Sequence, residues 1–127
     1  MIEYKNDFGA VNLLFSLDDA SNLFVELEDA VRENREINVL IKSKNEIPMK
    51  LSLEPSVDDD LLHVGRKEIK IRISTERMEY LLYKLNEFIE TGDFYPSELG
   101  GFARVNFSMN EVKGKGLVQV FLMKKRA

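Results

Sequence analysis

Apolar and polar residues alternate with a period of two along most of this chain, which is the pattern of half-buried β-strands. The alternation is clearest from Ile37 to Ile41, from Met49 to Leu53 and from Ile69 to Ile73. Two stretches change to the 3.6-residue period of an amphipathic helix, with apolar stripes that begin at Ala20 and Met78. In a chain of 127 residues this combination predicts a single α+β domain over residues 1–127.

The two predicted helices match each other when Ser16 is aligned with Ser74. Each serine is the expected N-cap, and the strands before them and the apolar stripes after them coincide. Each half of the chain is therefore predicted to form a β-α-β-β unit, and a short strand over Ile2 to Lys5 is expected before the first unit. The match indicates either a duplicated unit or two helices that follow the same capping rules, and we favour the second interpretation. The predicted fold is a two-layer sandwich, a mainly antiparallel sheet with both helices on one face.

The sheet face turned away from the helices is the leading candidate for a binding surface. If the isoleucine-type positions face the helices, the alternate positions hold five bases, no acid and three large apolar residues, Leu14, Leu40 and Phe121. Glu54, at the end of a strand, is the nearest acid. An apolar centre with a basic rim is typical of binding faces, although an ordinary solvated face is the alternative. The residues predicted to contact a partner there are Lys42, Lys70, Arg72, Arg104 and Phe121.

Two other surfaces are candidates. Residues 92–102 are predicted to form a long loop rich in aromatic residues and glycine, in which Tyr95 is the expected partner contact. The alternative is that these aromatic residues cover one end of the core. Asp58, Asp59 and Asp60 form a secondary acidic patch. Their spacing differs from that of a calcium loop, so we expect a solvated loop rather than a metal site.

The residue inventory predicts no catalytic residues, no cofactor and no metal. The chain has no cysteine and a single histidine, His63, which excludes thiol chemistry and multi-histidine metal sites. The segment Gly114-Lys115-Gly116 lacks P-loop spacing and is predicted to be a hairpin connection. Phe121 is the only aromatic residue on the predicted free face, which disfavours a nucleic-acid platform. The alternative class is an enzyme or a small-ligand protein with a pocket between sheet and helices.

The net charge of −4 is unevenly distributed along the chain. Residues 1–60 contain 14 acidic and 6 basic residues, whereas residues 61–127 contain 8 and 12. This asymmetry permits a dipolar surface that orients a partner. We expect a cytoplasmic protein without a membrane segment, because the longest uncharged stretch has ten residues and the first residues lack a signal-peptide pattern. Leu117 to Met123 is apolar on both faces, which predicts a central strand or a homodimer contact.

In its general character the chain resembles small bacterial toxin-immunity proteins. The shared features are the size, the acidity, the absence of cysteine, the α+β pattern and the lack of a catalytic constellation. The resemblance implies a toxin as the protein partner and a basic target for the acidic residues of the first half. It assigns no site residues, because function does not follow from fold. The sequence thus predicts a non-catalytic protein-binding module.

Overall fold

Eight strands and two helices make up the computed structural model, which describes residues 1–7, 9–106 and 111–126. The strands are β1 (Ile2–Asp7), β2 (Ala10–Phe15), β3 (Ile37–Ser43), β4 (Pro48–Ser56), β5 (Leu61–Val64), β6 (Glu68–Ser74), β7 (Glu98–Asn106) and β8 (Glu111–Lys124). The helices are α1 (Leu17–Glu33) and α2 (Thr75–Thr91). This content confirms the predicted α+β class.

The strands form one sheet that closes on itself in the order β1-β2-β8-β7-β5-β6-β4-β3. The pairs β1–β2, β3–β4, β5–β6 and β7–β8 are antiparallel. The pairs β1–β3, β2–β8, β4–β6 and β5–β7 are parallel. The sheet is therefore mixed rather than mainly antiparallel. Side chains alternate in the same way in both kinds of pair, so the period of two could not reveal the strand directions.

The two halves of the chain have the same topology. Each half runs strand, strand, helix, strand, strand, and both helices have 17 residues and begin directly after the aligned serines. The first four strands correspond in order to the last four, so that β1 is equivalent to β5 and β4 to β8. Exchanging the equivalent strands leaves the order of strands in the sheet and the direction of every strand pair unchanged. The match between Ser16 and Ser74 therefore corresponds to two topologically equivalent units. The short strand expected before the first unit is β1, and the equivalent strand of the second half, β5, was not predicted.

Helices and strands share one apolar core. Ile69, Ile71 and Ile73 of β6 are fully buried, and the apolar stripes of both helices belong to the same cluster. Lys70 and Arg72, which alternate with these isoleucines, are only half-buried. The predicted side-chain alternation of β6 is therefore correct.

The helix ends follow the predicted capping. Ser16 and Asp19 form a reciprocal capping box at the start of α1. Ser74 caps α2, which ends at Gly92 with a φ of 80°, a left-handed conformation that favours glycine. Asn34 ends α1 in the same region. Neither described helix has the length and apolar character needed to cross a membrane.

The segment predicted as a long aromatic loop is shorter in the structure, because β7 already begins at Glu98. Phe94 folds into the core, where its ring stacks on Phe88 with centroids 4.2 Å apart and lies 5.6 Å from Phe15. Tyr95, in contrast, is 85% exposed. The aromatic residues of this loop are thus divided between core and surface.

The apolar segment from Leu117 to Met123 lies in a central strand, β8, with β2 on one side and β7 on the other. Val120 and Leu122 are fully buried. The predicted hairpin connection at residues 114–116 lies inside this strand, because β8 is longer than its apolar part. Since the described strands close into a ring, a second copy would have to contact β8 through side chains rather than by adding a strand.

Candidate functional site

Three of the four cations predicted to contact a partner on the free sheet face are paired with carboxylates: Lys42, Lys70 and Arg72. The Nζ atom of Lys70 lies 3.4 Å from Oε2 of Glu54 and 3.7 Å from Oε1 of Glu36. Nη2 of Arg72 lies 3.6 Å from Oε1 of the same Glu54. The structure thus brings Lys70 and Arg72 together around Glu54, but as an ion-pair network and not as a basic patch.

Lys42 is paired in the same way. Its Nζ atom lies 3.6 Å from Oε1 of Glu3, on the neighbouring strand β1, and 3.4 Å from Oε2 of Glu46. The predicted face contained no acid, whereas in the folded sheet Glu3 pairs with Lys42, and Glu68 of β6 pairs with Lys50 at 3.7 Å. Opposite charges on adjacent strands pair across the sheet, and the neighbouring strand is not known from sequence.

The other predicted contact residues do not join this network in the described part of the chain. Arg104 is exposed on β7, and Tyr95 is exposed in the loop before it. Phe121 is half-buried on β8. The predicted contact residues therefore do not form one continuous basic surface.

The acidic patch is also divided. Asp58 and Asp59 are exposed, but Asp60 accepts hydrogen bonds from the backbone N–H and hydroxyl of Ser74 at 2.9 and 3.2 Å. Nε of Arg77 lies 3.5 Å from the Asp60 carboxylate. Asp60 thus holds the start of α2 and is not available as part of a free acidic surface.

A cavity of about 910 Å³ lies between α2 and β7. The side chain of Arg77 lies in it, where Nη1 donates a hydrogen bond to the carbonyl of Gly101 and the guanidinium sits 5.2 Å from the ring centre of Phe102. A Cβ atom at Gly100, whose φ is 146°, would lie 1.4 Å from that Nη1 atom. At this φ glycine is favoured, and a side chain at position 100 would also displace the end of the Arg77 side chain.

The equivalent space in the first half, between α1 and β3, is an open groove of about 540 Å³. We call it the α1–β3 groove; it is lined by Met1, Ile2, Asp19, Asn22, Leu23, Val25, Glu26, Val39 and Leu40. Three of these side chains are large, apolar and more than half exposed: Met1 (53%), Val25 (60%) and Leu40 (58%). The lining residues that the structure describes include no lysine or arginine.

Asp19 of the α1–β3 groove is held by three partners. One carboxylate oxygen lies 2.8 Å from the amino group of Met1, and the other lies 2.9 Å from Nζ of Lys125. Burial by itself raises the pKa of Asp19, but hydrogen bonds from the amino group, Ser16 and Lys125 outweigh burial and hold the pKa well below its ordinary value. This ionised carboxylate therefore fixes the start of α1, and Glu26 supplies the free acidic side chain of the groove.

A third concave surface of about 690 Å³ lies on the outer face of β1, β2 and β8. Its floor contains Leu14, Phe121 and Met123. We call this surface, together with its charged rim, the β1–β2–β8 basin; the rim consists of Glu3, Lys5, Asp7, Lys44, Lys124, Lys125 and Arg126. Neither Arg72 nor Arg104 lines the basin, the α1–β3 groove or the cavity beside α2.

His63, the single histidine of the sequence, lies against the backbone of β7. Nδ1 of His63 lies 3.3 Å from the carbonyl oxygen of Val105. Within residues 1–7, 9–106 and 111–126, no three histidine, cysteine or acidic residues are grouped so that they could hold a metal ion.

Sequence reasoning missed the α1–β3 groove. Leu40 was assigned to the free sheet face, and Val25 lies off the apolar stripe of α1, among acidic and polar residues. An aliphatic residue on the polar side of an amphipathic helix is the signal that could have pointed to this surface.

In comparisons with known proteins, the chain matches no protein-family model, no curated protein and no solved structure.

Proposed function

We propose that this chain is a non-catalytic protein-binding module whose partner docks in the α1–β3 groove. The observation that carries the proposal is the grouping of Met1, Val25 and Leu40, each more than half exposed, along one groove. Single exposed apolar residues are ordinary, but contiguous exposed apolar patches mark interaction sites. Full burial of a valine or leucine side chain contributes about 1.5–3 kcal/mol, so covering the exposed parts of Val25 and Leu40 provides roughly half of that for each.

Charge selects the chemistry of the partner. Six of the 17 residues of α1 are acidic, and Arg32 is its only base. Arg32 is itself paired with Asp29. Asp19 and Glu26 are the acidic residues of α1 that line the groove, and Asp19 is paired, so Glu26 is the carboxylate that a basic partner would contact there. A protein segment that carries lysine or arginine around an aliphatic anchor complements this surface, and the charges favour its orientation and association rate.

A labelled peptide in which lysine and leucine alternate tests this proposal by fluorescence anisotropy. The double variant V25S/L40S removes the exposed apolar surface, and we expect it to weaken binding about tenfold, or ~1.4 kcal/mol. The matched control is I47S/V57S, which removes two exposed aliphatic side chains outside the groove. Equal affinities of V25S/L40S and the wild type, or equal losses in both double variants, would refute the proposal.

Neutralisation of a toxin in the cytoplasm is the specific form of this function that we propose, in line with the resemblance noted from the sequence. The test is co-expression with a growth-inhibiting protein encoded by a neighbouring gene. Wild-type chain and I47S/V57S should restore growth, whereas V25S/L40S should not. Restored growth with V25S/L40S would mean that toxin neutralisation does not depend on the α1–β3 groove.

A further inference from the structure

We infer that the β1–β2–β8 basin is a second docking surface, which takes an acidic protein segment with an apolar anchor. The floor of the basin is continuous across two strands, because Leu14 pairs with Met123 and Asn12 pairs with Phe121 in the register of β2 and β8. Met123 is 42% exposed, and Leu14 and Phe121 are half-buried. An apolar side chain of a partner would therefore contact apolar atoms of both strands.

The rim of the basin carries three cations that have no carboxylate partner among the described residues. Elsewhere on the rim, Lys5 is paired with Asp7 at 3.1 Å and Lys125 with Asp19 at 2.9 Å. Lys44, Lys124 and Arg126, in contrast, form no ion pair with the part of the chain that the structure describes. In a chain with 22 acidic and 18 basic residues, three such cations around one apolar floor favour an acidic ligand.

The lining of the basin favours a protein segment over the other acidic ligands. Small-molecule sites are lined predominantly by apolar side chains, whereas seven of the twelve described lining residues of this basin are charged. Among the described residues that line the basin, a nucleic acid would find one aromatic ring, Phe121, for base stacking, and it would meet Glu3 and Asp7 on the rim. A protein segment requires only an apolar anchor for the floor and carboxylates for the rim.

The test uses a labelled peptide in which glutamate alternates with leucine and phenylalanine. We expect K124E/R126E to weaken its binding about tenfold or more, whereas the control R66E/K67E leaves it within about twofold. Both variants reverse the charge of two exposed cations and change the net charge of the protein equally. Nonspecific electrostatic attraction between peptide and protein therefore changes by the same amount in both variants. The uncharged change M123S should also weaken binding.

Three outcomes would overturn the inference. The first is equal binding by K124E/R126E and R66E/K67E. The second is a single-stranded RNA that binds more tightly than the acidic peptide and shows the same loss in K124E/R126E, which would make the ligand a nucleic acid. The third is sedimentation in which the wild type self-associates and K124E/R126E does not, which would make the occupant a second copy.

The same variants separate this inference from the proposed function. V25S/L40S should keep its affinity for the acidic peptide, and K124E/R126E should keep its affinity for the lysine–leucine peptide. Failure at one surface therefore leaves the result at the other interpretable. Urea unfolding of every variant verifies that a lost affinity is not a lost fold.

Discussion

Replacement of Lys84 by methionine should stabilise this protein. Lys84 lies in α2, and only 1% of its side chain is exposed. Its Nζ atom lies 3.5 Å from Oε1 of Glu87 and 5.9 Å from the ring centre of Tyr80, and it makes no hydrogen bond within the described residues. The ammonium group is therefore buried with one long ion pair and one distant aromatic ring as compensation.

The expected magnitude follows from the cost of that burial. Moving an ammonium group out of water costs several kcal/mol in real proteins, and a single partner offsets only part of the cost. Methionine is unbranched and apolar, so it can occupy the space of the lysine stem without the charge. Substitutions of this kind are neutral or stabilising by about 1–4 kcal/mol. Glu87 loses its partner but is 26% exposed, so water can solvate its carboxylate. We therefore expect K84M to gain about 1–2 kcal/mol.

Urea unfolding followed by circular dichroism measures the change. With a slope of about 1–3 kcal/mol per molar urea, this gain raises the midpoint by about 0.3–2 M at an unchanged slope. The control K67M alters an exposed lysine and should stay within about 0.5 kcal/mol of the wild type. The opposite perturbation, E87Q, leaves the ammonium without its carboxylate and should destabilise. A K84M variant less stable than both the wild type and K67M would refute the reasoning.

Three further predictions concern the helix start, the arginine packing and the aromatic loop. Since the pKa of Asp19 is lowered in the folded state, its contribution to the free energy of unfolding is present above about pH 4 and is lost as the pH falls below that value. Between pH 2 and 6, the urea midpoint of D19N should therefore depend less on pH than that of the wild type, and an equal pH dependence would contradict the role of Asp19. In G100A the new Cβ meets Arg77 at a left-handed φ, so thermal unfolding should reveal a loss of about 2–3 kcal/mol, and a neutral result would refute the packing. F94A should lose about 3–5 kcal/mol, whereas Y95A should change stability by about 0.5 kcal/mol or less; equal losses would mean that both rings support the core.

Local signals predicted the helices well. The serines at 16 and 74, the glycine at 92 and the 3.6-residue stripes lie within or next to the helices that they specify, so no distant contact is needed to interpret them. The burial of Ile69 and its neighbours was predictable for the same reason, because alternation along one strand requires no knowledge of the next strand.

The candidate surfaces were harder to predict, because they depend on pairs of residues far apart in the chain. Lys42 was predicted to be a free cation, but β1 lies beside β3 and places Glu3 next to it. Val25 and Leu40 are fifteen positions apart, on a helix and a strand, and their patterns do not indicate that they share one groove.

The amino-acid sequence alone predicted the helix caps, the apolar stripes of the helices and the buried positions of the strands, since each of these depends on neighbours a few residues away. Folding added the closure of the sheet, the pairing of Lys70 and Arg72 with Glu54, and the exposed apolar surface beside α1. The physical reason is that periodicity selects the face on which a side chain lies, whereas the side chain opposite it is selected by contacts between distant parts of the chain.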